Sequence, residues 1–112
     1  MAYDEDLANR VRELVGTERG LSEKRMFGGL AMLLDGNMAV GVRGREGGGL
    51  LVRVDPATSD ALLSEPGADL MIMQGRETRG WITVTADGCA TDEDLRRWVA
   101  RGVAYARSLP PK

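Results

Sequence analysis

Two short segments of the chain combine basic residues with glycine, and their residue types are the ones that suggest chemistry. The first, residues 24–29, reads KRMFGG and places two cations just before two adjacent glycines. The second, residues 75–81, reads GRETRGW and carries two arginines between two glycines. Cationic side chains beside exposed backbone amides can bind anions. The predicted binding residues are the four cations of these segments: Lys24, Arg25, Arg76 and Arg79.

A structural role competes with anion binding in both segments. Adjacent glycines in a strand mark a bulge or a place where another backbone packs closely, and Phe27 would then be a core anchor. The chain has no phosphate-binding loop of the GxxxxGK[ST] type. We therefore interpret residues 25–29 as the start of a tightly packed central strand, in which Arg25 is the residue most open to a second role. The residues expected to be structural are Met26, Phe27, Gly28, Gly29, Gly75, Gly80 and Trp81.

The two segments would form one site only if the fold brings them together. If the strand that follows Arg25 lies beside the turn that carries Arg76, the two arginines would converge on one basic spot. Strand pairing cannot be read from the sequence, and we favour the alternative that these are unrelated surface arginines.

The composition excludes several familiar kinds of active site. The 112 residues include no histidine and a single cysteine, Cys89. Ser-His-Asp and Cys-His catalysis and His-ligated or thiolate metal clusters are therefore excluded. The acids of Asp92–Asp94 point in different directions on a helix and are expected to stabilise its first turn rather than bind magnesium. We predict no catalytic residue, no metal site and no cofactor.

Charge and hydropathy indicate a soluble protein. The net charge of -2 argues against a dedicated nucleic-acid-binding domain, although a local basic patch remains possible. The acidic N-terminal segment does not resemble a signal peptide, and the longest apolar run is too short to span a membrane. One cysteine fits a reducing compartment. We expect a cytoplasmic protein with no membrane partner.

Hydrophobic periodicity predicts one α+β domain over residues 1–112. Apolar residues at helical spacing indicate a first helix, and alternating or continuous apolar runs bounded by glycine indicate strands. The predicted order is α-β-β-β-α-β-β-α, a two-layer sandwich with a mainly antiparallel sheet of about five strands. The predicted elements are a helix at 5–16, strands at 26–34, 38–43 and 50–54, a short helix after Asp55, strands at 68–73 and 80–85, and a last helix from Thr91.

Five methionines fall in the predicted strands. Thioether side chains either fill irregular gaps in a core or line an adaptable binding groove. Strand alternation turns most of them inward, so we favour core filling. These residues are Met26, Met32, Met38, Met71 and Met73.

Three ordered segments resemble the TfoX N-terminal domain family. They read KRMFGGLAMLLDGNMAVGV, GRETRGWITV and LRRWVARGVAYARSLPPK, and together they span nearly the whole chain. The resemblance implies a relation to TfoX/Sxy regulators of natural competence, which act with a cyclic-AMP receptor protein and carry a second, helical domain. It implies no catalytic residue. The residues that match the family motifs are Arg25, Met26, Phe27, Gly28, Gly29, Gly75, Arg76 and Trp81.

Together these observations favour a small non-enzymatic domain of the transcription-regulator type that contacts an unidentified protein. Its surface would be an exposed sheet edge, which also allows a homodimer, or the neighbourhood of Arg25 and Arg76. The alternative is direct binding of nucleic acid or a small anion by arginines, which would weaken steeply with salt. A small-molecule enzyme would instead require an enclosed pocket that holds carboxylates.

Overall fold

Capped helices form where the sequence combines an N-cap residue with apolar positions at helical spacing. The computed structural model describes residues 3–26, 28–44 and 48–111, which contain α1 (Glu5–Val15), α2 (Ser59–Leu62) and α3 (Asp92–Ser108). The Asp4 carboxylate accepts hydrogen bonds from the first amides of α1, and the Thr91 hydroxyl accepts one from an amide of α3. Asp55 caps the short 3-10 turn before α2 in the same way.

Six strands form one antiparallel sheet. Their order is β1-β2-β3-β4-β6-β5, so that β1 and β5 are the edges. Asp35 and Gly36 have positive φ angles and form the tight turn between β2 and β3. The strands are β1 (Leu21–Met26), β2 (Gly29–Leu34), β3 (Asn37–Val42), β4 (Leu50–Arg53), β5 (Ala68–Met73) and β6 (Arg76–Val84).

The predicted α+β fold and its antiparallel sheet are confirmed, but the strand count and the position of residues 24–29 are corrected. The first strand was missed because β1 is an edge strand whose four central residues are exposed, which leaves no apolar alternation to read. Residues 25–29 do not start a central strand. Arg25 and Met26 end β1, Gly29 begins β2, and Phe27 lies outside the described residues.

Helices α1 and α3 cover one face of the sheet. Val11 of α1 and Leu95 and Trp98 of α3 are buried against sheet residues such as Met32 and Ile82. Burial of apolar area at about 25 cal/mol per Å² is the main force that holds the two layers together. No helix in the described ranges has the length and apolarity needed to cross a membrane.

Gly102 sets how closely α3 approaches the sheet. A Cβ atom at this buried position would lie 2.3 Å from the carbonyl oxygen of Ala39 in β3. Backbone cannot yield as a side chain can, so α3 rests directly on β3 only because residue 102 has no side chain.

We expect Gly102→Ala to lower the free energy of unfolding by about 2 kcal/mol. Overpacking against backbone costs about 3 kcal/mol, and the higher helix propensity of alanine returns about 1 kcal/mol. Urea unfolding measures the difference. The control, Ala104→Ser on the exposed side of α3, should stay within about 0.5 kcal/mol of the original. A Gly102→Ala protein that is as stable as the original would show that the helix layer is not held at this distance.

Candidate functional site

The sheet face opposite α1 and α3 carries a second, smaller apolar cluster. Its buried members are Ala31, Met38 and Leu51, and no helix residue of the described ranges belongs to it. Half-buried residues that pack against it include Met26, Leu33, Met71 and Trp81. One face of the sheet is therefore apolar but lacks a covering layer.

A groove of about 760 Å³ runs across this face, and we call it the open-face groove. Ala31, Gly41 and Leu51 lie along its floor, and every strand of the sheet contributes to its lining. Gly28 and Gly29 line one end, and β5 residues, including Ile72, line the other. The groove thus extends from the β1–β2 turn to the β5 edge.

Small residues on the middle strands create the groove. Side chains alternate along a strand, so β2 sends Met32 to the helix side and Ala31 to the open side. In β3 a Cβ atom at Gly41 would lie 2.8 Å from the terminal methyl carbon of Met38, which therefore folds across the glycine. Positions that carry large side chains in most sheets carry small ones here, so the floor of the groove is concave.

The two glycines of the first segment serve different purposes. A Cβ atom at Gly29 would lie 2.1 Å from the carbonyl oxygen of Val42, so β2 and the end of β3 need a glycine there. Gly28 has a φ of +75° and no atom within 4 Å of an added Cβ, as expected for an exposed turn residue. Close backbone packing therefore explains Gly29, and the turn explains Gly28.

Charged residues lie in or beside the lining of the groove. Lys24 shares a face of β1 with Met26, and Arg43 lines the groove near Gly28 and Gly29. At the other end the lining includes Asp69, which shares a face of β5 with Met71, and Glu77, which pairs with Ile72 in the β5–β6 hairpin.

The structure separates the cations that the sequence singled out. Arg25 lies on the edge strand β1, and Arg76 begins β6. Three strands, β2, β3 and β4, lie between β1 and β6, so the two arginines are not on neighbouring strands. Arg79 pairs with Asp60, with 3.2 Å between the guanidinium nitrogen and the carboxylate oxygen. Lys24 pairs with Ala31 and Arg76 pairs with Met73, so both lie on the face of the sheet that carries the groove, on strands far apart in the sheet.

The remaining motif residues lie in the β5–β6 hairpin. Gly75 belongs to its turn, and Gly80 has a φ of +90° where β6 bends past Pro56. Trp81 is half-buried on the open face, and the guanidinium carbon of Arg53 lies 5.1 Å from its ring centre. These residues shape the β5–β6 hairpin, and Trp81 packs against the open-face cluster.

Sequence reasoning missed most of the groove. Of the strand methionines, Met32 fills the helix-side core, whereas Met26, Met38 and Met71 belong to the open-face cluster. Core filling therefore describes only part of the set. The available signal was a strand in which alternation puts methionine on one face and glycine or alanine on the other. This signal can be interpreted only when the order of the strands is known.

Cys89 has the properties of a structural thiol. It is buried beneath the start of α3, and its sulfur lies 3.4 Å from the carbonyl oxygen of Thr85. Burial raises the pKa of the thiol to about 11, which disfavours the reactive thiolate. In the described parts of the chain, no cluster of three Cys, Asp or Glu side chains is arranged to hold a metal ion.

Charges on the helix side are used to fix the layers. Glu65, after α2, accepts hydrogen bonds from Arg101 and Arg97 of α3. The bond from Arg101 is the main reason that the pKa of Glu65 lies below its ordinary value of 4.5. Arg12 of α1 similarly lowers the pKa of Glu23 in β1. These pairs hold helices to neighbouring segments and lie away from the groove.

The geometry defines a class of protein: a small two-layer α+β domain in which helices cover one sheet face and an apolar groove crosses the other. The model of the TfoX N-terminal domain family matches residues 13–106, and the chain belongs to this family. The family is linked to competence regulation and is not a known enzyme family. A search of the curated proteins found no match.

We expect Gly29→Ala to destabilise the fold by about 2–3 kcal/mol, because the new methyl group meets the Val42 carbonyl. Gly41→Ala is the matched control. There the nearest atom is the flexible end of Met38, so the free energy of unfolding should change by less than about 1 kcal/mol. Urea unfolding measures the free energy of unfolding of both variants. Equal losses of this free energy would contradict our explanation of the groove floor.

We expect Glu65 to make stability depend on acid pH. Because its pKa is lower in the folded chain, its contribution is complete above 4.5 and is lost as the pH falls through the lowered value. Glu65→Gln should therefore flatten the fall in unfolding free energy between about pH 5 and pH 3. Glu13→Gln, at an exposed position of α1, should leave the slope unchanged. Identical slopes in all three proteins would show that the Glu65 pairs do not contribute.

Proposed function

We propose that this chain is a non-enzymatic protein-interaction domain of the transcription-regulator type, and that its contact surface is the open-face groove. The observation that carries the proposal is an apolar sheet face on which the described chain places no helix. A sheet normally buries its apolar faces against another layer. Here the second layer would be supplied by a partner.

The extended shape of the groove suits a protein surface. It crosses six strands, and five spacings of about 4.8 Å give a length of about 24 Å. Small-molecule sites usually enclose most of the ligand, whereas this groove is partly open to solvent. Met26, Met38 and Met71 line or border it, and flexible thioethers adapt to an incoming surface.

The charge distribution favours a protein over nucleic acid. Phosphates would meet the carboxylate of Asp69, which shares the groove face of β5 with Met71. The predicted cations Arg25 and Arg76 lie on separated strands, and Arg79 is paired with Asp60. Direct binding of nucleic acid or a small anion through Lys24, Arg25 and Arg76 is therefore the second candidate.

Site-specific photo-crosslinking in the native cells tests the proposal. A photoreactive amino acid replaces Met71 in the groove, or Arg96 on the exposed surface of α3 as the control. We expect protein adducts from position 71, few from position 96, and no change after nuclease treatment. Equal adducts from the two positions, or adducts that disappear with nuclease, would contradict a protein contact at the groove.

A further inference from the structure

We infer that the partner contributes an extended segment of chain that pairs with the outer side of β5, the edge strand beside the open-face groove. The inference rests on the proposed function and names the partner segment: a strand of a different protein, with apolar side chains on both faces and one basic residue. Such a strand would widen the sheet, so that the apolar face available to the rest of the partner begins at its own segment.

The backbone of β5 presents alternate residues to an incoming strand. β5 is the last strand of the described sheet, next to β6. The amide of Thr85 donates to the carbonyl of Gly67, so the backbone groups of Gly67 face the β6 side. Backbone direction alternates along an antiparallel strand, and the N–H and C=O groups of Ala68, Leu70 and Ile72 therefore point away from β6. These outward groups are the ones that a further strand would pair with.

The two edge strands of the sheet differ in how well they are protected from pairing. In β1 the four central residues are exposed, and three of them are charged: Glu23, Lys24 and Arg25. Charged side chains on an edge disfavour the approach of another strand. β5 carries a single charge, Asp69, among five apolar residues. We therefore assign the partner strand to the β5 edge.

Apolar side chains lie on both faces of the β5 edge. Ile72 is 59% exposed, and within the described ranges it is the one large hydrophobic residue that is exposed. Met71 and Met73 share the groove face, whereas Ile72 points to the opposite face. A strand with apolar side chains on both of its faces would remove Ile72 and the two methionines from water at the same time.

Asp69 determines the charge that suits the partner strand. It is exposed on the groove face of β5, two residues before Met71. A basic residue directly opposite Asp69 would form a favourable cross-strand pair, and an acidic residue would repel it. β5 contains no lysine or arginine, so pairing with β5 of a second copy supplies no such cation. The segment that fits this edge therefore has a different sequence, in which a lysine or arginine precedes or follows apolar residues.

Photo-crosslinking along β5 tests the inference through the spacing of the adducts. A photoreactive amino acid replaces Asp69, Met71 or Met73 in turn in the native cells, and mass spectrometry locates the partner residue joined to each position. For a paired strand, we expect the adduct to move by two partner residues for each step of two residues along β5. A helix at this edge would move it by about four, because two strand residues span about 6.6 Å and a helix rises about 1.5 Å per residue.

Proline substitution tests whether backbone pairing holds the segment. Ile72→Pro removes an outward N–H but no hydrogen bond to β6, and edge strands tolerate proline. With the photoreactive residue at position 71, we expect this variant to lower the adduct yield about tenfold, the value of one lost backbone hydrogen bond. Ile72→Thr keeps the N–H and should lower the yield less. The control, Arg25→Pro, removes an outward N–H from the β1 edge and should leave the yield unchanged.

Urea unfolding shows whether each proline variant is folded, and the spacing of the adducts decides the inference without them. Adducts at helical spacing, adducts to β5 of a second copy, or a folded Ile72→Pro chain that gives the original yield would each overturn it. If position 71 forms protein adducts that lack the two-residue spacing, the inference fails and the proposed function stands. The absence of any protein adduct from position 71 would refute both.

Discussion

The one-sided packing of helices on the sheet is the constraint on which the other features of this molecule depend. Trp98 is fully buried between α3 and the strands, and Gly102 lets the helix backbone rest on the Ala39 carbonyl. Of the described helices, the two long ones, α1 and α3, both lie on this face. The opposite face must therefore be shielded by its own side chains or by something outside the chain.

The uncovered face is only partly shielded by its own side chains. Ala31, Met38 and Leu51 are buried by their neighbours, yet the groove above them remains open and Ile72 projects into water. On the helix side, by contrast, Arg107 links α3 to Glu18 and Asp35, and Glu65 links the segment after α2 to α3. Internal charges stabilise the layered fold, whereas no ion pair between described residues includes Lys24, Arg43, Asp69 or Glu77.

The parts of the fold that depend on nearby residues were predictable, and those that depend on strand order were not. The first helix, the short helix after Asp55, strand β5 and the last helix from Thr91 follow from local patterns, and they occur where the sequence predicts them. β1 escaped notice because it has no buried face to impose alternation. The groove was not predicted because it exists only once β4 pairs with β6, across more than twenty residues of chain. Close packing at Gly29 could be inferred from the glycine motif, but the position of the motif in a turn could not.

The methyl signals of methionine offer the most direct view of the central claim, that the open face is a protein contact surface. With methyl-labelled methionine, NMR spectra of the protein alone and in an extract of its native cells compare residues on the two faces of the same sheet. The account predicts that the signals of Met26, Met38 and Met71 shift or broaden when the extract is added, while that of Met32 in the helix-side core stays fixed. Signals that remain constant on the open face, or that change equally on both faces, would contradict it.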